Sequence, residues 1–163
     1  MERLTFLEGY GGQTIQELIS LKAKYRLDSL VLAVDEAIGS KPKDQINAVE
    51  RTVLAIEALE REVSNGGFAQ FFLNHSNVYA SVVVGDLKLI NCPQTAAIVQ
   101  SAVEVLGVGS LFDVDAVRRA AQDESKAEAW ENLDEQFFAY PEPIAERLWE
   151  FIDKFHSHIQ IPE

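Results

Sequence analysis

The chain is predicted to be all-α, a single compact domain of about eight or nine helices, on three observations. Apolar residues recur at steps of three and four along most of its 163 residues, the spacing of one helix face. Capping signatures open several of these stretches, and Gly or Pro closes or restarts them. A chain of this length buries roughly 70% of its unfolded surface without metals or disulfides, and an apolar content of 47% is that of an ordinary globular protein.

Residues 1–12 show little periodicity, and Gly9, Gly11 and Gly12 suggest a flexible lead-in to a domain over residues 13–163. No strand precedes these glycines and no GK[ST] follows, so they are not a phosphate loop. Thr14-x-x-Glu17 is a capping box for a short helix through Ile15, Leu18 and Ile19. Leu27, Leu30, Val31, Val34 and Ile38 mark a second helix ending at Gly39, and Ser40-Lys41-Pro42-Lys43 is a loop. Asn47-x-x-Glu50 starts a long helix carrying Val49, Val53, Ile56, Leu59 and Val63.

Asn65-Gly66-Gly67 cuts that helix, with residue types that accept a left-handed backbone. It restarts with Phe68, Phe71 and Phe72, among which stand Gln70 and Asn74. Residues 79–90 contain Val82-Val83-Val84, which favours a strand locally, but with no partner strand in view a buried helix is expected. Pro93 opens the next helix (Ala96, Val99, Val103, Leu106), closed by Gly107, and residues 108–112 form a loop. Asp113 or Asp115 caps a short helix through Val117 and Ala120. Ser125-x-x-Glu128 reads as a capping box for a helix with Trp130, Leu133, Phe137 and Tyr140 inward. Pro141-Glu142-Pro143 leads into the last helix, whose inner side is Ile144, Leu148, Phe151, Ile152 and Phe155.

Lone Cys92 permits no internal disulfide, which fits a reducing compartment, and it reads as a packed small residue at a helix start. No apolar run reaches the ~18 residues a bilayer requires, and Met1-Glu2-Arg3 leads into no signal-peptide core. The expectation is a cytoplasmic protein without membrane contact. His156 and His158, two apart on a helix, point about 200° from one another and cannot share an ion. His75 has no metal-ligand neighbour at helical spacing, and Cys92 has no histidine nearby in sequence. No metal, cofactor or catalytic residue is therefore assigned.

Glu60 falls on the apolar side of its helix, between Val53 and Ile56 on the wheel. A carboxylate aimed at a core needs partners, and Asn65, Gln70 and Asn74 are the nearest polar side chains in sequence. Glu60, Asn65, Gly66, Gln70 and Asn74 are thus grouped as a polar cluster. Glu60 could serve as a general base with Gln70 beside it. The better reading has Glu60 accepting free backbone N–H groups at the start of the Phe68 helix, so that its loss reduces stability rather than activity.

Charge is the chain's most distinctive property. The formal net charge is −12, and residues 101–163 hold 14 acids against 5 bases, or −9 of it. Such a surface repels nucleic acid and anionic membranes and attracts basic partners. Glu128, Glu131 and Glu135 form a line opposite Trp130, Leu133 and Phe137, prolonged by Glu124; Glu146, Glu150 and Asp153 repeat it on the last helix. Like charges at this spacing each cost a helix roughly 0.2–0.5 kcal/mol, so two uncompensated lines are unfavourable for folding alone. Their rise of about 5–6 Å is comparable in scale with the ~3.4 Å advance of phosphates along a nucleic-acid strand. From spacing alone, a solvated face remains the better account.

The run Leu59-Glu60-Arg61-Glu62-Val63-Ser64-Asn65-Gly66-Gly67-Phe68-Ala69-Gln70-Phe71-Phe72-Leu73-Asn74 resembles the signature of a bacterial family of acidic helical domains. Most members are of unknown function; the best-known is a DNA-mimic protein. The similarity extends upstream through Glu50-Arg51-Thr52-Val53-Leu54-Ala55-Ile56-Glu57 and, more weakly, to Leu133-Asp134-Glu135-Gln136-Phe137-Phe138-Ala139-Tyr140-Pro141 and the closing helix, covering about residues 25–158. The resemblance implies an all-helical homodimer. It also implies a non-enzymatic protein that binds a basic DNA-binding protein, such as a helix-turn-helix transcriptional regulator, and blocks its access to DNA. Glu124, Glu128, Glu131, Glu135, Glu146, Glu150 and Asp153 are the expected partner-binding residues, with no direct nucleic-acid binding by the chain itself. The alternatives are a generic acidic inhibitor of a basic toxin or nuclease, and an enzyme using Glu60 and Gln70.

Overall fold

The computed structural model describes residues 2–109 and 112–162. Among these the chain is all-α as expected, with eight α-helices joined by turns and short 3₁₀ segments. They are α1 (Ile15–Ser20), α2 (Leu27–Gly39), α3 (Ala48–Leu73), α4 (Val83–Leu89), α5 (Pro93–Leu106), α6 (Val114–Ala121), α7 (Ala127–Phe138) and α8 (Ile144–Lys154). The chain divides into two compact units: one runs from the N-terminus to Leu54 and resumes at Ile144, the other is Ala55–Pro143.

In the first unit, α2 packs against α1 and α8. Residues 2–12 lie along it. Thr5 bridges Tyr25, the Leu7 N–H donates to Ser29 Oγ (3.0 Å), and the Tyr10 N–H donates to Glu36 Oε2 (3.0 Å). The Thr14 box forms in both directions, Glu17 N–H to Thr14 Oγ1 (3.2 Å) and Thr14 N–H to Glu17 Oε2 (2.7 Å). Asn47 and Glu50 make the same reciprocal pair at the start of α3, at 3.0 and 3.5 Å. The Glu50 carboxylate also takes the ammonium of Lys41, both side chains fully withdrawn from water. Leu30, Val31, Val34 and Ile38 are buried as the spacing requires, as are Ile144, Leu148, Phe151 and Ile152; Phe155 is half-buried, and Trp149 joins the core.

In the second unit, α5 packs between α4 and α7. Its core is aromatic. Phe68 meets Phe137 edge-on at 5.8 Å, Phe72 lies 5.7 Å from Trp130, and Trp130 Nε1 donates to the Ala102 carbonyl (3.1 Å). Pro93 sits in the first turn of α5 with buried Cys92 at the N-cap. The Glu142 carboxylate accepts the Gln94 and Thr95 N–H groups (2.8 and 3.0 Å) and the Thr95 hydroxyl (2.9 Å), satisfying donors that a helix start leaves free. The Val82-Val83-Val84 run enters α4, with Val83 and Leu87 buried, so tertiary packing overrides the local strand preference. Gly107 ends α5 with φ +70°; in the loop that follows, Ser110 and Leu111 lie outside the described residues.

Two local expectations are corrected. Ser125-x-x-Glu128 is not a capping box: Asp123 takes both the Ser125 N–H (3.0 Å) and its hydroxyl (2.7 Å), forming a 3₁₀ turn over Glu124–Lys126, and α7 begins after it. These two hydrogen bonds also hold the Asp123 carboxyl below its usual range. Tyr140 is not an inward residue. It lies beyond the end of α7 at φ +45° and is half exposed, while Trp130 and Phe137 are buried.

Candidate functional site

Helix α3 is interrupted by two residues with non-helical backbone, Gly66 (φ −156°, ψ 17°) and Gly67 (φ +75°, ψ −175°). The second combination is open essentially only to glycine. Space demands glycine as well, because a Cβ on Gly67 would collide with the carboxylate of Asp134. That carboxylate, on α7, accepts the Phe68 N–H at 2.8 Å. Asp134 therefore caps the restarted segment and ties α7 to the corner.

The polar cluster forms with a different membership from the one expected. Gln70 Nε2 and Asn74 Nδ2 both donate to Glu62 Oε2, at 2.7 and 2.8 Å. Glu60 instead accepts the Tyr140 hydroxyl at 3.0 Å. It neither caps the Phe68 segment nor meets Gln70, and Asn65 and Gly66 are exposed. The grouping with Glu60 followed nearness in sequence; the non-helical Gly66 and Gly67 redirect the segment beyond them, and Gln70 and Asn74 meet Glu62 instead. Burial raises the Glu60 carboxyl above its ordinary range, against the opposing Tyr140 bond. Burial also raises Asp134, with the Phe68 N–H pulling the other way and the Glu131 charge adding to the rise. The Tyr140 hydroxyl is raised by burial first and then by the charge of Glu60.

The outer surface of α7 is the strongest candidate for a working face. Glu124, Glu128, Glu131 and Glu135 are all exposed, Glu124 in the turn before the helix and the rest along it. Among the described residues no Lys or Arg makes an ion pair with Glu128, Glu131 or Glu135. A shallow groove beside them is lined by Ser125, Glu128, Ala129, Asn132, Leu133 and Gln136. The row on α8 is different. Glu146 and Glu150 are exposed, Asp153 is half-buried, and Arg147 Nη1 lies 3.7 Å from Glu150. The expectation of two uncompensated lines is thus corrected on α8, where one carboxylate has a cation one turn away.

Two sets of residues escaped the sequence reading. Asp134 and Tyr140 reach the corner from 66 and 80 residues away, and no local pattern announces such contacts. Arg147 stood three residues before Glu150 and was legible as a compensating pair. Among the described residues no group of three His, Cys, Asp or Glu is placed to hold a metal ion, and no helix is long and apolar enough to cross a membrane.

No curated protein and no solved structure matches the chain. A family model described as DMP19-like protein matches residues 44–155, from the turn before α3 through α8, and so includes both the glycine corner and the α7 face. The chain belongs to the DMP19-like, or DNA mimic protein 19, family.

Proposed function

We propose that this chain is an acidic DNA-mimic protein that binds a basic DNA-binding protein, a transcriptional regulator of the helix-turn-helix kind, and blocks its access to DNA. One observation carries the reading: the exposed row of Glu128, Glu131 and Glu135 on α7, ion-paired to no Lys or Arg among the described residues and extended by Glu124. A row of like charges disfavours its own helix, and a basic surface supplies the compensation. Glu146, Glu150 and Asp153 add charge, with Glu150 weakened as a contact by Arg147. Family membership supports the same reading. The protein acts in the cytoplasm as a homodimer, and its carboxylates make contact while Glu60 and the corner stay structural.

The test is salt dependence. A partner captured from the source cell and purified is titrated with the wild-type chain and with the Glu128→Gln, Glu131→Gln, Glu135→Gln variant at about 50 and 300 mM salt, where the Debye length falls from about 14 to 6 Å. Exposed charge pairs contribute about 0.2–1 kcal/mol each, so the variant binds roughly 3- to 150-fold more weakly at low salt. It also loses part of the salt dependence, in proportion to the contacts removed. Wild-type affinity that stays flat across the salt range overturns the reading. A partner that proves to be a nuclease or toxin with no regulatory DNA site favours a generic acidic inhibitor instead.

A further inference from the structure

The acidic row does not end in a charge. Along α7, Glu128, Glu131, Glu135 and Phe138 fall within about 80° of one another at 100° per residue, spanning about 15 Å of helix. Phe138 is 46% exposed. Its ring is not loose, because it stands edge-on against buried Phe137 at 6.3 Å and 83°. Tyr140, equally exposed, leans on the same Phe137 ring at 5.9 Å and is tethered through its hydroxyl to Glu60. Two fixed, half-exposed aromatic rings thus close a stripe of carboxylates. A row of phosphates has no counterpart to them, and charge alone gives no reason to leave them in water.

We infer that the α7 stripe docks an arginine-bearing helix of a basic partner, with Phe138, supported by Phe137 and Tyr140, as the platform on which a guanidinium stacks. This rests on the proposed function and sharpens its partner chemistry. The occupant follows from charge complementarity and from the difference between the two basic side chains. A carboxylate row attracts lysine and arginine alike, but only guanidinium is planar, weakly hydrated and suited to stacking on an aromatic face while pairing side-on with a carboxylate. Glu135 precedes Phe138 by three residues, on the same side of the helix. One arginine can therefore lie over the ring and reach that carboxylate, whereas lysine, a compact and strongly hydrated charge, cannot stack flat on the ring while pairing side-on and gains less there.

The test uses the full chain and two fluorescein-labelled amphipathic helical peptides of about 18 residues, five turns, identical except that one carries arginine and the other lysine at every basic position. Anisotropy titrations give affinities at low and high salt, and sedimentation follows the oligomeric state of the chain alone. The arginine peptide is expected to bind about two- to five-fold more tightly, the size of an exposed cation–π contact. Phe138→Ala and Phe138→Leu should each abolish that preference, leave the salt dependence in place and leave sedimentation unchanged. Equal affinity for the two peptides in the wild type overturns the inference while leaving the acidic-face reading standing. So does a preference that survives Phe138→Leu, which would make the contact merely apolar. A change in sedimentation on Phe138→Ala also overturns it, by assigning the ring to contact between copies of the chain. If neither peptide binds at low salt, the acidic-face reading fails and the inference fails with it.

Discussion

Replacing Gly67 by alanine is expected to destabilise the second unit through two separate effects. Its φ of +75° with ψ of −175° lies where a side chain is strained by about 1–3 kcal/mol. The added Cβ also meets the Asp134 carboxylate, which must then swing away from the Phe68 N–H it accepts at 2.8 Å. Loss of such a cap costs about 1 kcal/mol. The total is about 2–4 kcal/mol, or a fall in Tm of about 4–16 °C for a chain of this size. A double-mutant cycle with Asp134→Ala separates the two effects. With the carboxylate gone there is nothing to collide with and no cap left to lose. Gly67→Ala should then cost about 1 kcal/mol less than in the wild type, a coupling of the size contacting residues show. Urea unfolding followed by circular dichroism gives all four corners of the cycle. A Gly67→Ala penalty below about 0.5 kcal/mol would refute the backbone argument, the usual range for a featureless surface site. Strict additivity would refute the collision with Asp134.

Two further predictions concern buried charge. Burial raises Glu60 more than the Tyr140 hydroxyl lowers it, so the folded chain keeps a proton that the unfolded chain has already released. The contribution of Glu60 to stability therefore falls as pH rises from the unfolded carboxylate range through the raised folded value. Glu60→Gln should gain on the wild type in urea unfolding as pH rises above the ordinary carboxylate range; a difference independent of pH, or of opposite slope, contradicts the assignment. In the first unit, Lys41→Met leaves the Glu50 carboxylate buried without its cation and should cost about 3–5 kcal/mol, whereas Lys41→Met with Glu50→Leu should recover most of that loss. Thermal denaturation of the single and double variants decides it, and equal melting temperatures for the two would show that the pair does not act as a unit.

Helical periodicity and local capping were legible in the sequence because both depend on residues within one turn of each other. The Thr14 box, the helix start at Asn47 and the glycine stop after Leu106 formed as read. Ser125 had the right spacing and failed, since Asp123 offered its N–H and hydroxyl a nearer acceptor. The polar corner was legible in place but not in pairing. Nearness in sequence does not say how the chain leaves Gly66-Gly67, and the turn there takes Gln70 and Asn74 to Glu62 rather than to Glu60. The group that completes the corner, Asp134, belongs to a helix that only folding brings there. On the acidic face, exposure of Glu124, Glu128, Glu131 and Glu135 followed from their position opposite Trp130 and Phe137. The same spacing, with Phe137 inward, sets Phe138 beside these glutamates; what it does not show is that Phe138 and Tyr140 both pack on the Phe137 ring, Tyr140 from beyond the end of the helix.

If the α7 carboxylates occupy the surface with which a basic regulator holds DNA, the chain and DNA must exclude one another. The purified partner is bound to its labelled DNA site and the chain is titrated in, with mobility and anisotropy read together. DNA should be released in full as the partner–chain complex forms, with no species containing all three. The Glu128→Gln, Glu131→Gln, Glu135→Gln variant should require roughly 3- to 150-fold more protein for the same release, from the loss of three exposed charge pairs. A stable ternary complex of partner, DNA and chain, or equal competition by the charge-neutralised variant, would contradict that role of the α7 carboxylates.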